Sequence, residues 1–288
     1  MISFGDDRYK PALKEMWKIC FPMDSDIFID FYFDEVYKND ETLVYLENGK
    51  PAAAFQMIPY ILKYGEEFFQ ADYISGAMTH PDFRRRGRMK ELLFASFDIM
   101  RERGFDYSFL IPQKEGLITF YEKFGYKVLK PVCHYPTRHC EPQSGEAIQN
   151  EMINKWIASD SVLAMTDATI YQTYSRFLSE ISQVVLKTET QFQQILRDFF
   201  NGNGVLFANE QGIAFTFRKE NQIAIKEFFY RNQRVKKVIL KVIMDYYSQE
   251  NIIIQSSTEQ LTGSRSMIKR LNDEKPEISA LYVNMMMG

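Results

Sequence analysis

The segment from Ile74 to Phe97, ISGAMTHPDFRRRGRMKELLFASF, sets a strand, a turn rich in arginine and glycine, and an amphipathic helix in direct succession. A helix that begins near Gly87 presents unpaired backbone N–H groups and the positive end of its dipole. Glycine lets the backbone approach a ligand closely, and four arginines add charge-assisted donors: Arg84, Arg85, Arg86 and Arg88. This order predicts a phosphate site at the helix N-terminus, although arginine runs also occur on solvated surfaces.

The residues that follow narrow the choice of fold. The helix from Gly87 to Arg103 ends at Gly104, a strand covers 107–111, and a further helix contains LITFYEKFGY, residues 117–126. At this point the chain resembles the GNAT family of acyl-CoA-dependent N-acyltransferases. The family signature Q/R-x-x-G-x-G/A matches residues 84–89, with Met89 in place of the last small residue, and the family segment F/L-Y-x-x-F-G-F/Y is similar to residues 120–126.

The resemblance implies an acetyl-CoA co-substrate and assigns roles to particular residues. It places the oxyanion donor on a backbone N–H of the strand Ala77-Met78-Thr79, which would also pair with the pantetheine arm. The general acid for the leaving thiolate would be Tyr121, four residues before Gly125. A tyrosine with an ordinary pKa of about 10 is protonated at neutral pH, as an acid must be. The residues implied in binding acetyl-CoA are Ala77, Met78, Thr79, Arg84, Arg85, Arg86, Gly87, Arg88 and Met89.

The general base is less clearly marked. Many GNAT enzymes carry a glutamate on the fourth strand that acts through water, and the corresponding place here falls near Tyr73. The nearby carboxylate is Asp72, which is the base candidate, although strand alternation puts Asp72 and Tyr73 on opposite faces. His80 has a suitable pKa, but a histidine before a proline in a turn is more typical of a solvated loop.

The length of 288 residues favours two domains, and Glu141 to Gly145 is a candidate linker. We expect a catalytic GNAT domain over residues 1–140 and a second, degenerate GNAT-like domain over residues 141–288. The second half repeats the order strand, strand, strand, helix, strand, but its turn at Arg231 to Val235 has no glycine. The predicted fold class is α/β (α+β), with two GNAT-like domains in tandem, each a mixed, mostly antiparallel sheet flanked by helices.

Tandem GNAT domains with an active first copy resemble the enhanced-intracellular-survival (Eis) acetyltransferase family. This chain departs from that family by ending where a third, sterol-carrier-like domain would begin. In those enzymes the C-terminal carboxylate can serve as base, which here implies the carboxylate of Gly288.

The function expected from these features is transfer of an acetyl group from acetyl-CoA to a primary amine of a small molecule or peptide by direct attack. Two alternatives remain. One is an aminoacyltransferase of the Fem type, which also pairs two GNAT-like domains but generally lacks a working CoA site in the first. The other is a non-catalytic acyl-CoA-binding protein, because a fold alone does not establish activity.

Composition and charge restrict the remaining classes. The formal net charge of −3 argues against a nucleic-acid partner, and the absence of a signal peptide or membrane-length apolar run predicts a cytoplasmic protein without a membrane partner. The cluster Cys133-His134 to His139-Cys140 lacks zinc-site spacing, so no metal is expected. Asp26 and Asp30 lie one turn apart on a predicted helix, which would suit a cationic amine or, more commonly, a solvated face.

Overall fold

The computed structural model describes residues 1–130, 157–159, 167–219, 222–248, 252–254 and 266–283. These residues divide into two compact units. The first contains residues 1–130 and 266–281, and the second contains residues 157–254 together with 282–283. The sequence-based boundary near residue 140 would instead place every residue after 140 in the second domain.

The first unit opens with a short strand and two helices, which precede a three-stranded meander. Helix α2 begins at Ser25, whose hydroxyl accepts a hydrogen bond from the Phe28 N–H, and it continues into a π-helical turn at Tyr32–Val36. The meander begins with a hairpin in which Asn48 and Gly49 both have positive φ, as an Asn-Gly turn requires. The elements are β1 Ile2–Phe4, α1 Lys10–Cys20, α2 Asp26–Phe31, β2 Thr42–Glu47, β3 Lys50–Tyr64 and β4 Glu67–Thr79.

The second part of this unit carries the motif residues. Its elements are α3 Arg88–Glu102, β5 Tyr107–Leu110, α4 Ile118–Glu122, β6 Lys127–Val128 and, far along the chain, β13 Met267–Arg270. Together with the meander they form a sheet in the order β1-β2-β3-β4-β5-β13-β6. Only β4 and β5 run parallel among these neighbours, so the predicted mixed, mostly antiparallel sheet is confirmed.

Helices cover both faces of this sheet. Helix α3 buries its apolar stripe against strand residues that include Phe55, Ile74 and Leu110; the stripe consists of Leu92, Leu93, Phe97 and Met100. On the opposite face, the aromatic rings of Trp17, Tyr32 and Phe33 pack together at centroid distances of 4.4 to 5.9 Å. The site residues lie on β4, α3 and α4, which this core holds in place.

The second unit contains another mixed sheet with flanking helices. Its elements are β7 Ile157–Ser159, α5 Asp167–Ser179, β8 Gln183–Leu186, α6 Glu189–Asn201, β9 Gly204–Asn209, β10 Gly212–Lys219, β11 Gln222–Tyr230, α7 Gln233–Tyr247 and β12 Ile252–Ile254. The sheet order is β12-β11-β10-β9-β7, and β12 runs parallel to β11. Three antiparallel strands, a helix and a parallel strand therefore follow one another, as β2 to β5 do in the first unit.

Two sequence-based assignments were wrong. The sequence pattern predicts a helix over residues 146–159; of these the structure describes only Ile157–Ser159, which is a strand because it pairs with β9. The apolar run from Ala280 to Met286 predicts a final strand, but its described residues make only isolated bridges at Ala280 and Tyr282, and the strand that joins the sheet is β13. Within the described ranges, no helix is both long and apolar enough to cross a membrane.

Candidate active site

The two parallel strands of the first sheet separate at its centre. Strands β4 and β5 pair only from Ala71 to Tyr73, with Tyr107 to Phe109 as partners, whereas β4 continues to Thr79. Beyond Tyr73, the edge of β4 that faces β5 has no strand partner among the described residues. An extended ligand with amide groups could pair with this edge as an added strand.

A β-bulge lies in the separated part of β4. The register with β3 passes from Gln56–Ser75 to Ala54–Met78, so that Gly76 and Ala77 both lie opposite Phe55. Gly76 has a φ of +59°, and a Cβ added there would collide with the indole ring of Trp17. Glycine is therefore required at this position by both the backbone conformation and the close approach of Trp17.

The strand expected to bind pantetheine follows the bulge directly. Met78 and Thr79 pair with β3 through Ala54 and Ala53, which leaves the other edge facing the gap. The carbonyl oxygen of Thr79 accepts a hydrogen bond from the Cys20 thiol at 3.4 Å and another from Nε of Arg84 at 3.1 Å. The end of this strand is thus fixed by helix α1 and by the arginine-rich loop.

Helix α3 begins without a capping side chain. Its N-cap residue is Gly87, with a φ of +80°, and the first intrahelical bond runs from the Glu91 N–H to the Gly87 carbonyl. The backbone N–H groups of Arg88, Met89 and Lys90 make no hydrogen bond with any described residue. A left-handed residue followed by helical ones turns successive N–H groups toward a common point, which is an anion-binding arrangement.

The four arginine side chains of the loop have different surroundings. Arg86 Nη1 lies 3.3 Å from Glu47 Oε1, and Arg88 Nε lies 2.6 Å from Glu47 Oε2. Hydrogen bonding to Arg88 holds the pKa of the Glu47 carboxyl below its usual value. Arg84 bonds to Thr79, whereas Arg85 is exposed and makes no hydrogen bond or ion pair with the residues that the structure describes. The loop therefore brings all four together, but their partners differ.

Tyr121 lies on helix α4 and is buried in the core on one face of the sheet. It is 6% exposed and belongs to the same buried cluster as Ile74 and Leu110, the first residues beyond the paired stretch. Its ring meets that of Tyr126 edge-on at 5.8 Å, and its hydroxyl bonds to no described residue. Burial raises the pKa of Tyr121 to about 12, so the hydroxyl keeps its proton at neutral pH.

Asp72 is a buried carboxylate in the last paired stretch of β4. It is 1% exposed and lies opposite Ser108, whose hydroxyl is 2.7 Å from that of Tyr126. Its Oδ2 has no hydrogen-bond partner within the described part of the chain. Burial raises the pKa of Asp72 to about 7. Its neighbour Tyr73 packs against Tyr60 and Phe109, as expected for opposite faces of the strand.

Sequence reasoning missed a polar network on the other face of β4. The hydroxyl of Tyr32 donates to Gln56 Oε1 at 2.9 Å and lies 3.0 Å from Ser75 Oγ, just before the bulge. Gln56 in turn donates to Glu41 at 3.1 Å and to the carbonyl of Val36 at 3.0 Å. Val36 is the last residue of the π-helical turn. The polar Gln56 in the apolar strand β3 is the signal that could have indicated this network.

The remaining sequence candidates have ordinary surroundings or lie outside the described residues. Asp26 and Asp30 form ion pairs with Lys18 and Lys14 at 2.9 and 2.7 Å, which fits the solvated-face alternative. The ring of His80 accepts a hydrogen bond from the Asp82 N–H in the predicted turn. Gly288 and the cluster 133–140 lie outside the described residues. Over the described residues, no group of His, Cys, Asp or Glu could hold a metal ion.

Comparison with known proteins identifies the first unit. Residues 5–129 match the family described as acetyltransferase (GNAT) domain. No curated protein matches the sequence. Among solved structures, a GCN5-related N-acetyltransferase from Anabaena variabilis has a TM-score of 0.67 at 15% identity, covering 94% of this chain and 73% of that one. Eis1 from Mycobacterium abscessus has a TM-score of 0.68 at 10% identity, covering 94% and 74%.

A third structure has a similar likeness. It is a probable N-acyltransferase from Enterococcus faecalis, with a TM-score of 0.67 at 10% identity, covering 94% of this chain and 72% of that one. At these sequence identities, the TM-scores show a shared fold and nothing more. The match to the family model adds the class of protein, an acyltransferase, for the residues that it covers. Residues 5–129 therefore form an acyltransferase domain of the GNAT family. Its fold is that of the Eis-like members.

Proposed function

We propose that this protein transfers the acetyl group of acetyl-CoA to a primary amine by direct attack. The observation that carries the proposal is the conjunction of an uncapped α3 N-terminus with the separation of β4 and β5 in one unit. The first feature suits a pyrophosphate and the second suits an extended chain with amide groups. Acetyl-CoA has both parts, joined by a thioester.

The described residues can be assigned to parts of acetyl-CoA on this basis. The N–H groups of Arg88, Met89 and Lys90 bind the pyrophosphate, with Gly87 allowing its close approach. The free edge of β4 from Ala77 to Thr79 binds the pantetheine arm. The thioester then lies near the bulge, where a backbone N–H of this stretch can stabilise the negative charge that develops on the carbonyl oxygen.

The chemical step needs one proton donor and one proton acceptor. The amine nitrogen attacks the thioester carbon, the carbon–sulfur bond breaks, and the sulfur leaves with the electron pair of that bond. Tyr121 supplies the proton to the sulfur, since its hydroxyl is protonated at neutral pH and its ring belongs to the same buried cluster as Ile74 and Leu110. The proton lost by the amine passes through water to Asp72, whose pKa of about 7 suits a base at neutral pH.

The second unit has no comparable phosphate site in this proposal. Its corresponding helix, α7, begins at Asn232, whose side-chain oxygen accepts a hydrogen bond from the Val235 N–H at 3.0 Å. A side chain therefore caps a backbone N–H group at the start of α7, whereas no side chain caps the start of α3. We assign acetyl-CoA binding to the first unit alone and take the second unit to be a degenerate copy of the same fold.

The experiment is Tyr121→Phe beside Tyr60→Phe, a buried tyrosine on the other face of the sheet. Turnover is followed as release of the CoA thiol with a panel of amines: a polyamine, an aminoglycoside, an amino acid and a peptide. Loss of the acid should lower kcat about 100-fold, while the acetyl-CoA dissociation constant stays the same and Tyr60→Phe remains active.

Two outcomes would contradict the proposal. Unchanged turnover in Tyr121→Phe would remove Tyr121 from the mechanism. Absence of any thermal shift of the wild-type protein at millimolar acetyl-CoA would exclude acetyl-CoA as the co-substrate, and it would favour an aminoacyltransferase of the Fem type.

A further inference from the structure

Asp72 and Tyr121 both end each turnover of the proposed reaction in the wrong protonation state. The carboxyl of Asp72 has gained the proton of the amine, and Tyr121 has given its own proton to the departing sulfur. We propose that the buried hydroxyls of Ser108 and Tyr126 return the proton from Asp72 to Tyr121 and so reset the site. This inference rests on the proposed function, because it adds the step that completes the same catalytic cycle.

The four side chains of this path lie on one face of the first sheet. Tyr121 and Tyr126 belong to the buried cluster that contains Ile74 of β4. Asp72 lies two residues before Ile74, and side chains two residues apart on a strand point to the same face. Ser108 of β5 is paired with Asp72 in the parallel register, and its hydroxyl contacts that of Tyr126 on this face.

The central link of the path is a hydrogen bond between two buried hydroxyls. Ser108 Oγ and the hydroxyl oxygen of Tyr126 are 2.7 Å apart, and either oxygen can be the donor. A hydroxyl can accept one proton while it donates another, so this pair can pass a proton in either direction. Neither hydroxyl has to exist as an ion for long during such a transfer.

The two ends of this link adjoin the base and the acid. Neighbouring strands lie about 4.8 Å apart, so the short side chains of Asp72 and Ser108 are neighbours across β4 and β5. The ring of Tyr126 meets that of Tyr121 edge-on at 5.8 Å. Burial is the main cause of the raised pKa of Tyr126, and the hydrogen bond to Ser108 lowers this pKa less strongly. The charges of Tyr121 and Asp72 raise it further, so both groups are within electrostatic reach of this hydroxyl.

The transfer along this path is balanced and runs downhill. The O–H bond of the Asp72 carboxyl breaks, Ser108 takes that proton and gives its own to Tyr126, and Tyr126 gives its own to the phenolate of Tyr121. One proton moves in total, and the two relay hydroxyls end as they began. Burial raises the pKa of Tyr121 to about 12 and that of Asp72 to about 7, so the proton moves to the stronger base.

Burial also favours an internal path over exchange with bulk water. Asp72 is 1% exposed and Tyr121 is 6% exposed. Separate exchange with solvent would leave a buried phenolate or a buried carboxylate waiting for its partner, and an uncompensated buried charge is costly. Transfer from one group to the other removes the phenolate charge as it restores the carboxylate.

The experiment compares Ser108→Ala and Tyr126→Phe with two control variants in the full-length protein. The control for the serine is Ser96→Ala, because Ser96 is buried on α3 and donates only to the Leu93 carbonyl of its own helix. The control for the tyrosine is Tyr60→Phe. Release of the CoA thiol is followed in a single turnover and in the steady state, with the amine of the panel that the wild type acetylates fastest. The melting temperature without ligand shows which variants are folded.

The relay variants should be impaired in later turnovers but not in the first. In a single turnover, Ser108→Ala and Tyr126→Phe should react within about twofold of the wild-type rate, since Asp72 and Tyr121 start in the correct states. Their kcat should fall about tenfold, because each later turnover waits for a slow reset. The ratio of the single-turnover rate to kcat therefore rises in both relay variants, and it stays at the wild-type value in Ser96→Ala and Tyr60→Phe.

Two results would overturn this inference. One is a kcat of Ser108→Ala equal to that of the wild type, which would show that the path is not used; this variant removes a single oxygen and decides the question even if Tyr126→Phe does not fold. The other is a single-turnover rate that falls as much as kcat does, since the hydroxyls would then only shape the site. A wild-type protein that acetylates no amine of the panel would instead contradict the proposed function, which is seen before any variant is compared.

Discussion

At the scale of single residues, Asp72 has surroundings that are unfavourable for its charge. Its carboxyl is buried, Oδ2 has no hydrogen-bond partner among the described residues, and the ionised form is strongly disfavoured. Burial is the main cause of its raised pKa; the charge of Arg103 lowers this pKa less strongly, and the charge of Glu41 raises it further. A group with such a pKa carries a cost in stability that depends on pH.

We expect Asp72→Asn to stabilise the protein at pH 8 but not at pH 4. The unfolded carboxyl titrates near pH 4 and the folded one near pH 7. Between these values the folded state holds a proton that the unfolded state has released, so the free energy of unfolding falls as the pH rises. Because asparagine does not ionise, the free energy of unfolding of the variant should rise by about 4 kcal/mol relative to that of the wild type across this window. Denaturant unfolding at both pH values measures this difference.

Asp98→Asn, the same change at an exposed position on α3, is the matched control. A stability difference independent of pH would contradict the raised pKa of Asp72. If Asp72 is the base, the same variant should also lose the rise in kcat through pH 7, so that stability increases while activity falls.

At the residue scale, the sequence predicted where a residue lies in its element better than it predicted the burial and the partners of the side chain. Strand alternation correctly predicted that Asp72 and Tyr73 face opposite ways, but nothing local shows that Asp72 is desolvated. The arginines were recognised from their spacing, whereas their partner Glu47 lies 39 residues before Arg86 and could be found only once the sheet is built. Side-chain partners over such separations depend on the fold and not on the local pattern.

At the scale of elements, the local signals were sufficient for most of the first unit. The helix predicted from Gly87 to Arg103 is α3, Arg88–Glu102, because its apolar spacing and terminal glycines act locally. Strand β13 was not predicted, since its four residues carry little pattern of their own. It exists because it fills the space between β5 and β6, pairing Ile268 with both Phe109 and Lys127.

Ile268→Pro is therefore expected to destabilise the first unit by about 3 kcal/mol or more. Proline removes a backbone donor and cannot be accommodated in a strand that pairs on both sides. Denaturant unfolding of the full chain measures this loss, and Ile268→Val, which keeps the strand preference, should cost only about 1 kcal/mol. A proline variant as stable as the valine variant would show that β13 is not part of the folded sheet.

At the scale of the whole molecule, the two units share a succession of elements but differ at one helix start. The sequence predicted this succession of three strands, a helix and a fourth strand. It also showed that the turn before the second helix, at Arg231 to Val235, has no glycine. The structure adds the physical difference: Gly87 leaves donors unpaired, whereas the side chain of Asn232 satisfies one. The division of residues between the units was beyond the sequence, because it depends on β13.

Hydrogen exchange with and without acetyl-CoA should reveal the difference between the start of α3 and the start of α7. We expect acetyl-CoA to slow exchange of the amides at residues 75–79 and 84–90, because it would pair with them. The amides at residues 232–235 should exchange at the same rate in both conditions. Mass spectrometry of peptides from both units measures this directly, and equal protection of both helix starts would contradict binding to the first unit alone.

The membership of β13 in the first sheet also bears on how the protein is made. Beyond the strand pairing, the hydroxyl of Tyr107 donates to the carbonyl of Pro276, which lies 169 residues further along the chain. During synthesis at roughly 5 to 20 residues per second, β5 leaves the ribosome on the order of ten seconds or more before its partner exists. Until then β5 and β6 have unpaired edges, which are prone to aggregation. Translation rate and chaperone binding should therefore affect the yield of active enzyme more than in a chain whose catalytic sheet is contiguous.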